Sequence, residues 1–261
     1  MEKFNLTRRH YAAIRIDTNH LLLLIFLLIF ALVILKLTIF KTKKEKLHND
    51  FEDGMKIGNA QLIGQRENQN DYFSVISGKS KQDHLFAVIA DGITNKKTGR
   101  YSAILTVDIL RANFLNRTYL NLGINDYYEK SFKEIDKKLH DYIQGNKVVA
   151  TLISVIVKNH ILYYASIGNC LLLICRRGEL FIINDINSSE IQINNFPLTQ
   201  GDIAMLCSKG VYESLMEMEI LCELMETKHP YNKCQNLMRL IQRKSLKNQD
   251  NATIIIVEEM V

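Results

Sequence analysis

Residues 21–35 read LLLLIFLLIFALVIL, an unbroken apolar run that resumes after Lys36 as Leu37, Thr38, Ile39 and Phe40. At about 1.5 Å per helical residue, some twenty such residues match the hydrocarbon thickness of a bilayer. A cleavable leader would have a shorter apolar core followed by small residues, but KTKKEK follows here. A buried globular helix is rarely apolar on every face for so long. The expectation is one retained transmembrane helix over 21–40, with Lys36 snorkelling its ammonium to the headgroups. Residues 1–20 then form a polar N-terminal segment, 41–56 a basic and polar linker, and 57–261 a folded domain.

Charge follows the same division. Residues 1–50 carry nine Lys/Arg against four Asp/Glu, whereas residues 51–261 carry 24 of each. A neutral body is a poor polyanion binder, so no nucleic-acid partner is expected. Lys3, Arg8, Arg9 and Arg15 precede the span; Lys41, Lys43, Lys44 and Lys46 follow it, and the count is a tie. The following cluster is denser and nearer the membrane, which favours a cytoplasmic C-terminal domain. Cys170, Cys175, Cys207, Cys222 and Cys234 are an odd set without CxxC spacing. They imply neither a disulfide framework nor a zinc site, and agree with a reducing compartment.

With 47% apolar and 23% charged residues, the chain is neither disordered nor fibrous. Strand-like runs occur at Tyr72–Ile76, Leu85–Ala90, Leu152–Val157, Ile161–Ile167, Leu171–Cys175, Leu180–Ile183, Ile203–Cys207 and Thr253–Val257. Lys158-Asn159-His160 and Arg176-Arg177-Gly178 read as hairpin turns. Helical periodicity covers Thr98 to about Phe114, Asp126–Ile143 and Tyr231–Arg243. Many strands with grouped helices, without βαβ alternation, predict an α+β fold: a β-sandwich of two antiparallel sheets flanked by helices.

Three acids sit at strand ends. Asp71 precedes YFSVI, Asp91 follows LFAVIA and is itself followed by Gly92, and Asp250 precedes the strand ATIIIV. Singly, each reads as a turn residue. Together, five blocks in order resemble the metal-dependent type 2C (PPM-type) Ser/Thr protein phosphatases. IGNAQLIGQRENQND is similar to that family's G-x-R-x-x-N/Q-E-D opening, and AVIADGITNKKTGRYSA to its V-x-D-G-M-G-G block. VVATLISVIVKNHILYYASIGNCLLLICRRGEL resembles the G-T-T and A-x-x-G-D-S-R-x-Y block. FPLTQGDIAMLCSKGVYESL resembles the S-D-G block, and NQDNATIIIVE the terminal D-N-x-T block. The resemblance covers about residues 57–260.

It implies a four-layer αββα sandwich and two Mg²⁺ or Mn²⁺ ions held by carboxylates, hard cations suited to all-oxygen ligation. Carried onto this sequence, Arg66 binds the substrate phosphate. Asp91 bridges the metals, Asp71 and the Gly92 carbonyl serve one of them, and Asp250 serves the other. Three positions depart from the pattern: Asn70 stands for a Glu, Asn169 for the Asp of G-D-S, and Lys209 for the metal-binding Asp of S-D-G. Val149-Ala150-Thr151 and Thr94-Asn95 also depart from glycine-containing blocks.

At an effective dielectric near 20, one like-charge contact costs about 4 kcal/mol. A two-metal cluster beside Lys209 is therefore disfavoured, and at most one weakly bound ion is expected. Lys209 either turns to solvent or pairs with Asp91 and Asp250 in place of a metal. Two functions follow. One is a membrane-anchored pseudophosphatase, a signalling module that recognises a phosphoprotein or a Ser/Thr kinase partner. The other is an active metal-dependent phosphatase acting on phosphoprotein monoesters. A membrane-tethered sandwich unrelated to phosphatases is a third reading.

Overall fold

The computed structural model describes residue 36 and residues 55–77, 84–92, 98–116, 123–143 and 150–258. The chain divides into two units, Met1–Asp50 and Phe51–Val261. Apart from Lys36, the expected span Leu21–Phe40 lies outside the described residues. Among the described residues, no helix is long and apolar enough to cross a membrane.

Ten strands of the second unit form two five-stranded antiparallel sheets. The first, in the order β1-β10-β9-β6-β7, comprises Lys56–Leu62, Ala252–Glu258, Ile203–Cys207, Leu171–Arg176 and Glu179–Ile182. The second, in the order β2-β3-β4-β5-β8, comprises Asp71–Ile76, Leu85–Gly92, Ala150–Lys158, Ile161–Ile167 and Gln192–Pro197. Helices α1 (Thr98–Leu115) and α2 (Ile124–Ile143) cover the second sheet; α3 (Lys209–Tyr212), α4 (Glu217–Met225) and α5 (Pro230–Lys244) cover the first.

The strands are apolar on both sides because each sheet is packed on both faces. Along β3, Leu85, Ala87 and Ile89 point into the layer between the sheets, while Phe86, Val88 and Ala90 meet α1 and α2. Strand β10 divides in the same way. Ile255 and Val257 enter the intersheet core, and Ile254 and Ile256 face α5. The period-two geometry of a strand turns one apolar run into two interfaces. Polar tips on the helix side are satisfied locally: Tyr127 donates to the Leu110 carbonyl at 2.7 Å, and Tyr128 meets Ser154 at 3.3 Å.

Both expected hairpins are present as two-residue turns. Asn159 and His160 have φ of 51° and 60°, and Arg177 and Gly178 have 53° and 82°. Positive φ at both central positions matches the twist of the flanking strands. Two strands and two helices were not expected from the sequence: β1, β8, α3 and α4. Strand β8 carries Asn194, Asn195 and Pro197. It lies at a sheet edge, where a proline and an unpatterned face are tolerated.

All five cysteines are free; Cys222 is exposed and the other four are buried.

Candidate phosphate-binding site

One end of the sandwich gathers the start of β2, the end of β3, the β5–β6 turn, the end of β9 and the start of β10. These places carry Asn70 and Asp71, Asp91 and Gly92, Asn169, Lys209 and Asp250 respectively. Residues 63–70, between β1 and β2, bring Arg66 to the same end. Arg66, Asn70, Asp91, Gly92, Asn169, Lys209 and Asp250 line one cleft of about 480 Å³, with Gln65, Glu67, Asn68 and Asn251 completing it. Asp71 is buried and is the cross-strand partner of Asp91. The fold therefore brings together every site residue expected from the sequence.

Two glycines let the walls close. A Cβ on Gly92 would lie 2.0 Å from the Gly99 carbonyl oxygen, so β3 and the start of α1 can meet only without one. A Cβ on Gly210 would lie 2.1 Å from the Asn251 carbonyl oxygen, which fixes α3 against the approach to β10.

Polar side chains outside the expected set hold the frame. Ser208 and Thr253 each donate a hydroxyl to Asp71 Oδ2 at 2.7 Å. Asn251 Nδ2 donates to the carbonyls of Ile63 and Asn68, and its Oδ1 accepts from the Asn70 amide at 2.8 Å. Gln249 binds the Gly210 carbonyl and accepts from Ser214. Arg100 Nη1 donates to the Gln69 carbonyl at 2.7 Å, and Tyr212 donates to the Asn169 carbonyl at 2.9 Å. Ser208 and Asn251 fall inside blocks that resemble the family, so adjacency was their only sequence signal.

Arg66 and Asp250 form a two-pronged ion pair, Nε to Oδ1 at 2.8 Å and Nη2 to Oδ2 at 3.0 Å. This bond and the charge of Asp250 hold the Arg66 guanidinium above its ordinary pKa. The expected pairing of Lys209 with Asp91 and Asp250 is replaced by another arrangement. The Lys209 ammonium pairs with Glu213, one helical turn on, at 3.3 Å. The physical reason is local: the i,i+4 partner, at the C-terminal cap of α3, is reached without closing a gap across the cleft. Lys209 still acts on the cleft through its field.

The acids behind it carry uncompensated charge. Burial first, then the charge of Asp91, pushes the Asp71 carboxyl well above the carboxylate range, against the pull of Ser208 and Thr253. Burial and the charge of Asp250 push Asp91 up as well; Lys209, Asp71 and Arg66 partly offset the rise. Asp71 Oδ1 has no protein donor.

The amide oxygens of Asn70 and Asn169 are likewise buried without donors. Orphaned acceptors beside buried acids call for positive charge. The set Asp71, Asp91, the Gly92 carbonyl, Asn70 and Asn169 is all oxygen and fits one hard cation. It does not fit two. Asp250 is already neutralised by Arg66, and Lys209 stands where the resemblance expects a carboxylate.

No protein-family profile matches the chain, and no curated protein matches it in sequence. Solved structures do. A serine/threonine phosphatase of S. agalactiae superposes with a TM-score of 0.68 at 20% identity, covering 78% of this chain and 99% of the other. PppA of Pseudomonas aeruginosa, described as a key regulatory component of its T6SS, gives 0.67 at 17%, covering 79% and 98%. The catalytic domain of the phosphatase PstP, in complex with two manganese ions, gives 0.67 at 16%, covering 80% and 99%. The second unit of this chain has the fold of the PPM-type Ser/Thr protein phosphatases.

Proposed function

We propose that the domain binds phosphorylated protein segments at the Arg66 cleft and hydrolyses them poorly, as a pseudophosphatase signalling module. The observation that carries this reading is the charge pattern of the cleft. Arg66 offers a planar fork suited to phosphate oxygens, and Lys209 adds a second cation to the same wall. The carboxylate expected beside Asp250 is absent from that position, and Asp250 is spent on Arg66. A phosphate dianion can thus exchange for the carboxylate partners of two cations, Arg66 held by Asp250 and Lys209 by Glu213, while the donor set for a second metal is incomplete.

A phosphoprotein, or a Ser/Thr kinase carrying a phosphorylated segment, is the partner of this reading. Leu21–Phe40 anchors the chain as a single membrane span, with residues 51–261 on the cytoplasmic side. Support comes from the length of the apolar run, the KTKKEK cluster after it and the free cysteines.

The orphaned oxygens of Asn70, Asp71 and Asn169 favour a second reading, an active phosphatase working with one Mg²⁺ or Mn²⁺. Such a cation, when bound, supplies positive charge opposite the phosphate oxygens and polarises a bound water. This chain's own contribution is the same in both readings: Arg66 orients the phosphate, and the buried acids hold or release a proton.

Binding of a phosphothreonine peptide and of its unphosphorylated twin, measured by calorimetry for the wild type and Arg66→Ala, tests the proposal. The expected result is selective binding that falls at least tenfold in the variant. Equal binding of both peptides, or no effect of Arg66→Ala, contradicts it.

A further inference from the structure

Arg66 makes with Asp250 the very contact it would make with a phosphate. Nε and Nη2, the edge that binds oxyanions in parallel, are both taken by one carboxylate. A phosphomonoester cannot use that edge until the carboxylate leaves.

The ion pair is not what holds the backbone in place. Residues 63–70 are tied to the approach to β10 by other bonds: the Gln65 amide to the Gln249 carbonyl at 2.9 Å, and the Asn251 amide group to the carbonyls of Ile63 and Asn68. Asp250 is itself placed by the Asn251 amide, which donates to Oδ1 at 2.9 Å. The two side chains can therefore part without moving the chain that carries them. They are also half in water, with 53% of the Arg66 and 31% of the Asp250 side chain exposed. An ion pair so placed is weak enough for a ligand to exchange.

We propose that Asp250 is an internal competitor for the phosphate site, a carboxylate latch that keeps the Arg66 fork closed until a phosphoryl group displaces it. The inference rests on the reading of Arg66 as the phosphate-binding residue. The latch lowers the affinity of every oxyanion by the same factor, so the ligand with the higher intrinsic affinity is the one that still binds. A carboxylate ligand offers Arg66 nothing it does not already have, whereas a phosphomonoester carries about −1.5 to −2 at neutral pH and a third oxygen for Lys209. Acidic protein segments without phosphate lack that extra charge and oxygen and start from the weaker intrinsic affinity. The apparent affinity equals the intrinsic affinity multiplied by the fraction of sites with the fork free. For a weak surface pair that fraction is roughly one fifth to one half.

The test uses the full chain, purified in detergent with EDTA so that no divalent ion takes part. A phosphothreonine peptide and its phosphate-free, glutamate-substituted form are titrated by calorimetry. Asp250→Asn keeps the shape and removes the latch, and should bind the phosphopeptide roughly two- to fivefold more tightly than the wild type. Removing a negative charge also helps any anion, so the same substitution is made beside Arg66→Lys, which keeps the charge but loses the fork. In that background the gain should vanish for both peptides, whereas beside the native Arg66 it should be the same factor for each ligand that binds measurably.

An equal gain in both backgrounds means bulk charge and overturns the latch. So does Arg66-dependent phosphopeptide binding that Asp250→Asn leaves unchanged, a result that preserves the phosphate-binding reading. If none of the variants distinguishes the two peptides, both the latch and that reading fall.

Discussion

Asp71 and Asp91 face each other across adjacent antiparallel strands, one at the start of β2 and one near the end of β3, the first buried and the second half-buried. Burial, with the charge of Asp91 acting on Asp71 and the charge of Asp250 acting on Asp91, raises both carboxyls above their ordinary range. For an acid whose pKa is raised by folding, the protonated form is the one the fold prefers. Its contribution is complete below the unfolded-state value near 4 and is lost as pH rises through the raised folded values. In EDTA, the urea midpoint of a fragment of residues 51–261 should fall between pH 5 and pH 8. Asp71→Asn should reduce that fall, and Mg²⁺ at pH 8 should offset it in the wild type. A fall equal in wild type and variant contradicts the assignment.

A second acid behaves in the opposite sense. Burial alone would raise Asp202, but the Arg176 fork and the Thr199 amide more than reverse it and hold the carboxyl below its ordinary range. Its side chain is 1% exposed and accepts from Arg176 at 2.9 and 2.6 Å and from Thr199 at 2.7 Å. The stability it contributes is present above pH 4 and is lost as pH falls through the depressed value. Asp202→Asn should cost about 3 kcal/mol at pH 7, with the gap narrowing toward pH 3. Chemical denaturation across that range checks both the size and the slope.

Gly92→Ala places a methyl against the Gly99 backbone, where nothing flexible can yield. The strand end and the start of α1 must separate, at a cost of about 2 kcal/mol or more. Because Gly92 lines the cleft, phosphopeptide affinity should fall with stability. A thermal shift of under 2 °C would contradict the close approach.

How much of this was legible in the sequence depends on what set each element. Strands β3, β4, β5, β9 and β10 could be read because they are largely buried and their runs are mostly apolar. Strand β1 could not: KIGNAQL has polar Asn59 and Gln61, and its stability comes from pairing with β10 along its full length. Helix α3, at four residues, is too short to show a period. In the site, Arg66, Asp71, Asp91 and Asp250 were visible as motif residues, but their partners were not. Glu213 claims Lys209, and Arg66 claims Asp250, through side-chain geometry that spacing alone does not determine.

Leu21–Phe40 should keep the full chain with the membrane pellet through carbonate extraction, while a fragment starting near Asp50 stays soluble. Cys222 is the exposed thiol of the domain and reports its side of the membrane. A membrane-impermeant maleimide applied to intact cells should leave Cys222 unlabelled until the cells are lysed. Labelling before lysis reverses the orientation.

The most direct test of an impaired catalytic site is turnover of a generic aryl phosphate with Mn²⁺. It compares the wild type with a variant carrying Asn70→Glu, Asn169→Asp and Lys209→Asp together. Ligands that share a metal act as a unit, so the three changes should do more together than Lys209→Asp alone. The account predicts wild-type turnover at least a hundredfold below that of the triple variant, with calorimetry showing one weakly bound Mn²⁺ in the wild type and two in the variant. Wild-type turnover equal to that of the triple variant would contradict it and establish an active phosphatase with a lysine beside its metal.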